Sequence, residues 1–184
     1  MGQKSCCFIG HRKINESEFL KKKLFVVIES LIKNGVTIFL FGSRSEFDSL
    51  CHDIVTELKE KYPEIIRIAY DTKSESSTLE KNRIESEKLY SKLLNREIRL
   101  SGYERVIKPD EMWKTGKASF IERNQIMIDN SDYCVFYYDE NYTPERRLIS
   151  RKNISGLWTS NKSGTALSYK YAERNGKKII NVFI

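Results

Sequence analysis

The chain has 184 residues, of which 40% are hydrophobic and 31% charged, and its formal net charge is +7. This length suits one domain with its own core, and this balance excludes a disordered or fibrous protein. The sequence has no apolar run of about 18 residues and no apolar region typical of a signal peptide, so we expect a cytoplasmic protein without a membrane segment. The positive charge allows an anionic partner such as a nucleotide or a nucleic acid, without requiring one.

The cysteine and histidine content argues against a metal site. None of the four cysteines form a CxxC pair, and only two histidines are present to add imidazole ligands. We therefore predict no bound metal and no resident cofactor. Adjacent residues of a strand point to opposite faces, so two neighbouring cysteines in the first strand are not expected to pair with each other. All four are predicted to be buried, reduced thiols: Cys6, Cys7, Cys51 and Cys134.

The first 70 residues alternate between apolar strands and amphipathic helices. The first predicted helix opens at a Ser17 cap and closes on Asn34–Gly35, and the second is stopped by Pro63. Strands that alternate with helices in this way indicate a mainly parallel sheet with helices on both faces. The predicted elements are strand 5–10, helix 17–35, strand 36–42, helix 45–63 and strand 64–70.

The second half continues the same alternation around two more polar stretches. Residues 71–112 are predicted to be a variable insert that contains a helix over 77–98 and a short strand over 103–107. Further elements are predicted as helix 117–131, strand 132–138, helix 163–175 and strand 177–184. Because no repeat or linker interrupts the pattern, we predict one doubly wound α/β domain over residues 1–184.

The stretch 139–162 has no clear periodicity. A segment of this length without secondary structure is unusual inside a compact domain. It is interpreted either as a lid over a ligand or as a mobile surface loop, and the sequence leaves both open. The lid interpretation rests on side chains that suit an anionic, aromatic ligand: Arg146, Arg147, Arg151, Lys152 and Trp158.

Candidate binding residues follow the first two strands. In an open α/β sheet, ligands bind beyond the carboxyl ends of the strands. Gly10 allows a tight turn, Arg12 can fork onto a phosphate and His11 can hydrogen-bond a base, ribose or phosphate. The alternative is that His11 caps local backbone and Arg12 pairs with an acid. After the second strand, Gly42 and Ser43 lead into a helix start, which is either an anion site or an ordinary helix capped by Ser45.

Two further candidate groups belong to the later helices. Arg123 lies where it can reach a phosphate, and Asn124 can hydrogen-bond the ligand or hold a neighbouring loop. The turn Ser163–Gly164–Thr165 opens the helix over 163–175, so its backbone and hydroxyls can hold a phosphate; a simple N-cap is the alternative. The sequence has neither GxGxxG nor a Walker lysine motif, which argues against an ordinary dinucleotide fold and a P-loop NTPase.

Four motifs in this order resemble the SLOG superfamily of Rossmann-like proteins: CCFIGHRKI, FLFGSRSEFDSLCHDIV, ERNQIMIDNSDYCVFYYDENY and SGTALSYKYAERNGKKIINV. This superfamily includes the LOG phosphoribohydrolases and the DNA-processing protein DprA. The chain is most similar to its YpsA/YoqJ-like branch of small bacterial and phage proteins. The resemblance implies a Rossmann-like fold and a nucleotide-type ligand held between the GSRS and SGT turns. By position it adds Arg44 to the candidate residues named above.

The resemblance also bears on catalysis. LOG enzymes carry a PGGxGTxxE motif whose glutamate acts at the ribose, and an anionic group there stabilises an oxocarbenium-like centre. The corresponding residue in this chain is Ser168, which supplies no charge. Another acid could substitute if the fold brings one to the site: Asp129, Asp132 or Asp139.

We therefore predict a protein that binds a nucleotide or nucleotide-derived ligand, as a sensor or a sequestering protein. The branch resemblance extends this to an immune or stress signal. One alternative is an N-glycoside hydrolase or transferase acting on nucleotides. A second is DprA-like binding of single-stranded DNA. The sequence leaves open whether the chain forms a homo-oligomer.

Overall fold

The fold is taken from a computed structural model, which describes most of the chain. The described residues are 2–42, 45–72, 94–95, 97, 100–110, 112–114, 117–142 and 163–183. Ser43 and Arg44, most of the predicted insert over 71–112 with most of its helix, and residues 143–162 of the predicted lid lie outside them.

Within these ranges, six strands form one wholly parallel sheet in the order β4-β3-β2-β1-β5-β6. Four helices of the same described ranges flank the sheet, which confirms the predicted Rossmann-like α/β architecture. The strands are β1 (Lys4–Gly10), β2 (Val36–Phe41), β3 (Ile66–Tyr70), β4 (Arg105–Ile107), β5 (Tyr133–Tyr137) and β6 (Lys178–Asn181). The helices are α1 (Glu18–Lys33), α2 (Glu46–Lys61), α3 (Lys117–Asp129) and α4 (Gly164–Arg174).

The helix boundaries follow the predicted caps. Ser17 caps α1 by accepting a hydrogen bond from the Leu20 amide, and Gly35 follows the helix with a φ of 89°. Glycine adopts this left-handed backbone without steric cost, so α1 ends here. Ser45 caps α2, and its box is completed by Asp48, whose side chain accepts from the Ser45 amide.

The core is divided by the sheet into two clusters. On one face, α1 and α2 pack through buried residues such as Leu24 and Val55. On the other face, α3 and α4 pack through residues such as Met127 and Ala172. The adjacent Cys6 and Cys7 belong to opposite clusters, as strand geometry predicts, and all four cysteines are buried free thiols.

The strand order places a topological switch point between β1 and β5. From β1 the chain proceeds through β2 and β3 to β4 on one side, whereas β5 and β6 add to the other side. Loops that leave β1 and β5 in opposite directions open a crevice at the carboxyl edge of the sheet. The amino ends of the helices point to this same edge. Among the described helices, none is long and apolar enough to cross a membrane.

Candidate functional site

The turn after β1 packs directly on the start of α2. A Cβ atom at Gly10 would lie 2.5 Å from the Phe47 ring, so this close approach requires glycine. The Glu46 amide donates to the Arg12 carbonyl at 3.0 Å, and the Glu46 carboxylate accepts from the Ile14 amide at 3.0 Å. Glu46 therefore holds the loop that follows β1. Arg12 itself is exposed at this edge.

His11 is buried at the switch point and joins the ends of β1 and β5. Its amide donates to the Tyr137 carbonyl at 3.4 Å, and its Nε2 accepts from the Asp139 amide at 3.2 Å. Because an amide can only donate, this contact requires a neutral imidazole with its proton on Nδ1. Burial lowers the pKa of His11 below its ordinary value of 6.5, against the opposing effect of the nearby Asp139 carboxylate.

Arg123 on α3 contacts the turn after β2. Its Nη1 donates to the Gly42 carbonyl at 2.8 Å, and its Nη2 donates to Asn124 Oδ1 at 3.3 Å. A Cβ atom at Gly42 would lie 2.5 Å from Nη2, so the glycine makes room for the guanidinium. Only 6% of Arg123 is exposed, so in this structure the side chain supports the turn rather than extending into solvent.

Asn124 continues this contact chain to the start of α4. Its Nδ2 donates to Ser168 Oγ at 3.1 Å, and Ser168 Oγ donates to the Gly164 carbonyl at 2.9 Å. The hydrogen bonds thus run without a break from Gly42 through Arg123, Asn124 and Ser168 to Gly164. We call this chain the bridging network. It fixes Gly42, directly after β2, relative to the first turn of α4.

The start of α4 has the geometry of an anion site. Ser163 caps the helix by accepting from the Ala166 amide at 3.1 Å, and the first intrahelical bond runs from Leu167 to the Ser163 carbonyl. The amides of Gly164 and Thr165 precede that bond, so the helix itself gives them no acceptor. Together with the helix dipole they favour a negative group at this point.

Ser168 lies beneath this turn rather than on its surface. It is completely buried, and both hydrogen-bonding functions of its hydroxyl are occupied by Asn124 and Gly164. Ser168 is therefore a structural contact between α3 and α4.

The three acids considered as substitutes are divided between the two edges of the sheet. Asp129 accepts from the Tyr171 hydroxyl at 3.0 Å, and Asp132 accepts from the Ser5 amide at 2.8 Å, both at the amino edge. Asp139 follows β5 at the carboxyl edge, beside His11. Only this acid of the three shares an edge with the candidate site.

A cleft of about 200 Å³ lies beside the start of α4, and sequence reasoning missed most of it. We call it the aromatic cleft. Ser163 lies at one end, and the remaining lining residues come from the turn after β5 and from one face of α4: Tyr138, Asp139, Glu140, Tyr142, Ala166 and Lys170. The sequence does contain a signal for this cleft, because residues 138–142 lie at the carboxyl end of a predicted strand, where ligands bind in such sheets.

A larger cleft of about 460 Å³ is lined by Tyr137, by Phe183 and by residues of the loop before α1 and of its first turn. None of its lining residues is charged, and none is a predicted site residue. Among the residues that the structure describes, no group of three or more His, Cys, Asp or Glu side chains is arranged to hold a metal ion.

The predicted site residues thus meet at one edge of the sheet, as far as the structure describes them. Gly10 ends β1, His11 and Arg12 follow it, and Gly42 follows β2. The remaining described candidates lie on α3 and at the start of α4: Arg123, Asn124, Ser163, Gly164 and Thr165. Ser43 and Arg44 lie outside the described part, and their role in binding stays a prediction.

An open parallel sheet with a switch point between β1 and β5 defines a Rossmann-like α/β protein. A solved structure of DNA processing protein A from Helicobacter pylori, described for its single-stranded DNA binding mode, shares this fold, with a TM-score of 0.51 and 16% sequence identity. The match covers 96% of this chain and 63% of that chain, so the present chain corresponds to less than two thirds of it.

Sequence comparison identifies the family. The YpsA model, described as the YspA SLOG family, matches residues 4–156. The chain therefore belongs to the YspA SLOG family, which confirms the resemblance drawn from its motifs. A search of curated proteins gave no significant match.

Proposed function

We propose that this protein binds a nucleotide or nucleotide-derived ligand at the carboxyl edge of its sheet, as a sensor or a sequestering protein. The observation that carries this proposal is the bridging network, which ties Gly42, directly after β2, to the amide-rich start of α4. A site fixed before the ligand arrives loses less entropy on binding. Gly42 and the first turn of α4, held together in this way, suit a phosphate and the group attached to it.

The primary experiment is calorimetry against mononucleotides, dinucleotides, cyclic nucleotides and ADP-ribose derivatives. We expect at least one of them to bind with a dissociation constant below millimolar. If the whole panel shows no heat of binding at millimolar concentrations, the proposal is wrong.

A matched pair of variants tests where the phosphate binds. A Cβ atom at Gly164 would have Ile121 Cγ1 as its nearest neighbour, at 3.9 Å, so a side chain fits there. Gly164→Asp puts a negative charge at the helix start, which the helix dipole tolerates but a phosphate does not. Gly164→Asn has the same shape without the charge. We expect Gly164→Asp to weaken binding about 10-fold more than Gly164→Asn, a difference of about 1.4 kcal/mol. Equal affinities in the two variants would show that the phosphate does not bind at the start of α4.

A hydrolase or transferase is the second candidate, and the position of Asp139 favours it. This carboxylate lies at the site edge beside neutral His11 and lines the aromatic cleft. If the protein cleaves an N-glycosidic bond, incubation with nucleoside monophosphates releases free base, and Asp139→Asn abolishes the release. Binding without any release of base in the wild-type protein would exclude this candidate for the nucleotides tested.

Binding of single-stranded DNA is the third candidate, and the shared fold with DNA processing protein A favours it. It predicts that a labelled oligonucleotide is retarded in a gel, with an affinity that falls steeply as salt rises. A salt-independent affinity, or no retardation at low salt, would count against it.

A further inference from the structure

The aromatic cleft has two unlike walls. The turn after β5 contributes aromatic rings and two carboxylates, from Asp139 and Glu140. Residues of α4 contribute the other wall, where Ser163, Ala166 and Lys170 follow one another along a single helix face. The cleft therefore extends from the anion-binding end of α4 along the helix, past rings on one side and a lysine on the other.

Tyr142 forms a prearranged platform in this cleft. Its ring packs on the His11 ring with centroids 4.1 Å apart and a tilt of 34°. Yet 46% of the residue is exposed, so His11 covers only part of the ring. Its amide donates to the Asp139 carbonyl at 3.3 Å, and the Asp139 carboxylate accepts from the Asn141 amide at 2.9 Å. An exposed aromatic ring held by its own turn suits a flat ring stacked on it.

The charges in the cleft select among anionic ligands. Carboxylates only accept hydrogen bonds, so Asp139 and Glu140 favour ligand groups that carry O–H or N–H donors. They disfavour additional phosphates, which would meet like charge. The start of α4, at the Ser163 end, favours one anionic group. A ligand that satisfies both ends has a single phosphate, a donor-rich middle and a flat ring.

We propose that the aromatic cleft holds the nucleoside of a ribonucleoside monophosphate, with the base stacked on Tyr142 and the ribose hydroxyls donating to Asp139 and Glu140. The inference rests on the proposed function, because it places the phosphate at the start of α4. It goes further by naming the class of ligand and the residues that select it. It also favours a mononucleotide over a polynucleotide strand, whose successive phosphates would face these carboxylates.

The test compares two ligands that share ribose and a 5′-phosphate, one with a base at C1′ and one with a hydroxyl there. Adenosine 5′-monophosphate and ribose 5-phosphate are titrated into the wild-type protein and into Tyr142→Ala by calorimetry. We expect Tyr142→Ala to weaken binding of adenosine monophosphate about 10-fold, because a stacking partner is lost. Ribose 5-phosphate has no base, so its affinity stays within about 2-fold. Tyr142→Phe retains the ring and is the matched control, with binding of both ligands unchanged.

A second comparison tests the carboxylates. The 2′,3′-dideoxy form of adenosine monophosphate lacks both donors, and we expect it to bind about 10-fold more weakly than the ribonucleotide to the wild-type protein. Glu140→Gln and Asp139→Asn each reduce this difference. Thermal melting of every variant shows whether the fold is retained, and Glu140 is an exposed position whose substitution leaves the core intact.

The outcomes separate the inference from the proposed function. If adenosine monophosphate binds the wild-type protein and Tyr142→Ala equally well, the assignment of the cleft is wrong while nucleotide binding stands. If an oligonucleotide binds more tightly than any mononucleotide, the ligand class is wrong. If neither ligand binds the wild-type protein and the wider nucleotide panel also fails, both proposals fall.

Discussion

At the scale of single residues, two of the motif positions make internal contacts that their sequence interpretation does not include. The Arg123 guanidinium donates to the Gly42 carbonyl, while its contact with a ligand phosphate stays a prediction. Ser168, interpreted as an uncharged residue at the place of the LOG glutamate, is buried and hydrogen-bonded to both Asn124 and Gly164. Spacing along a helix shows which face a residue occupies, but it does not show whether a neighbouring turn covers that face.

The burial of Ser168 determines how its substitution should change the free energy of unfolding. Ser168→Ala removes the acceptor of Asn124 Nδ2 and should cost about 1 kcal/mol of unfolding free energy. Ser168→Glu places a carboxylate in a completely buried position and should cost at least about 3 kcal/mol. We therefore expect it to destabilise the protein rather than confer nucleoside hydrolysis.

Urea unfolding measures these changes, and Ser49→Glu on the exposed face of α2 is the matched control, with a change below about 0.5 kcal/mol. A Ser168→Glu protein as stable as the Ser49→Glu protein would show that this position can accept an acid. If this variant also released free base from nucleotides, the wild-type protein would be an enzyme scaffold that lacks its catalytic acid.

The pH dependence of the free energy of unfolding should reflect the titration of His11. Its pKa is lowered in the folded protein, so above pH 6.5 the imidazole is neutral in both the folded and unfolded states and its contribution to stability is complete. Below pH 6.5 the unfolded chain binds the proton first, and stability falls by at most about 1.4 kcal/mol per pH unit. The loss ends once pH has passed below the lowered pKa of the folded state.

Urea unfolding between pH 8 and pH 5 checks this, with His11→Gln as the comparison. The glutamine keeps an acceptor near the Asp139 amide but has no titration in this range. We expect a flatter pH profile in His11→Gln. Identical slopes in the two proteins would assign the pH dependence to other groups.

At the scale of secondary-structure elements, α2 supports the site through its first turn. The capping box fixes Ser45 and Asp48, and the residues between them contact the loop after β1. Glu46 binds the Ile14 amide, and Phe47 packs under Gly10. The carboxylate of Glu46 is thus hydrogen-bonded within the protein. From the sequence, the Ser45 cap is one of two interpretations of this helix start, whereas the contact of Glu46 with Ile14, which joins residues 32 positions apart, is not predicted.

Loss of the α2 cap should be measurable. Ser45→Ala removes the acceptor of the Asp48 amide, and we expect a loss of about 1 kcal/mol in unfolding free energy. Ser45→Thr keeps a capping hydroxyl and should remain within about 0.5 kcal/mol of the wild-type protein. Thermal and urea unfolding of the two variants would reveal this difference, and an undisturbed Ser45→Ala protein would show that the cap contributes little.

At the scale of the whole molecule, the order of elements and the parallel sheet followed from the sequence. Apolar runs separated by amphipathic helices are a local signal, and the structure confirms it from β1 to β3 and again from α3 to β6. The aromatic cleft was missed because its walls are separated in the chain and meet only in the folded sheet. The polar stretch 139–162 has no periodicity that would predict structure, although residues 139–142 form a defined turn.

The four thiols give this molecule a practical property. Each cysteine is completely buried, on one face of the sheet or the other, so the folded protein should resist thiol reagents until it unfolds. We expect Ellman's reagent to titrate four thiols in denaturant and almost none in native buffer. Rapid reaction of the native wild-type protein would contradict the burial of these side chains.

A single reactive thiol can then be introduced where it is wanted. Lys170→Cys places one at the rim of the aromatic cleft, on an exposed position of α4. A fluorescent dye attached there would report occupancy of the cleft directly, in a cell extract as well as with purified compounds. Because the native cysteines do not react with the dye, the labelled protein could serve as a biosensor for the ligand that binds this cleft.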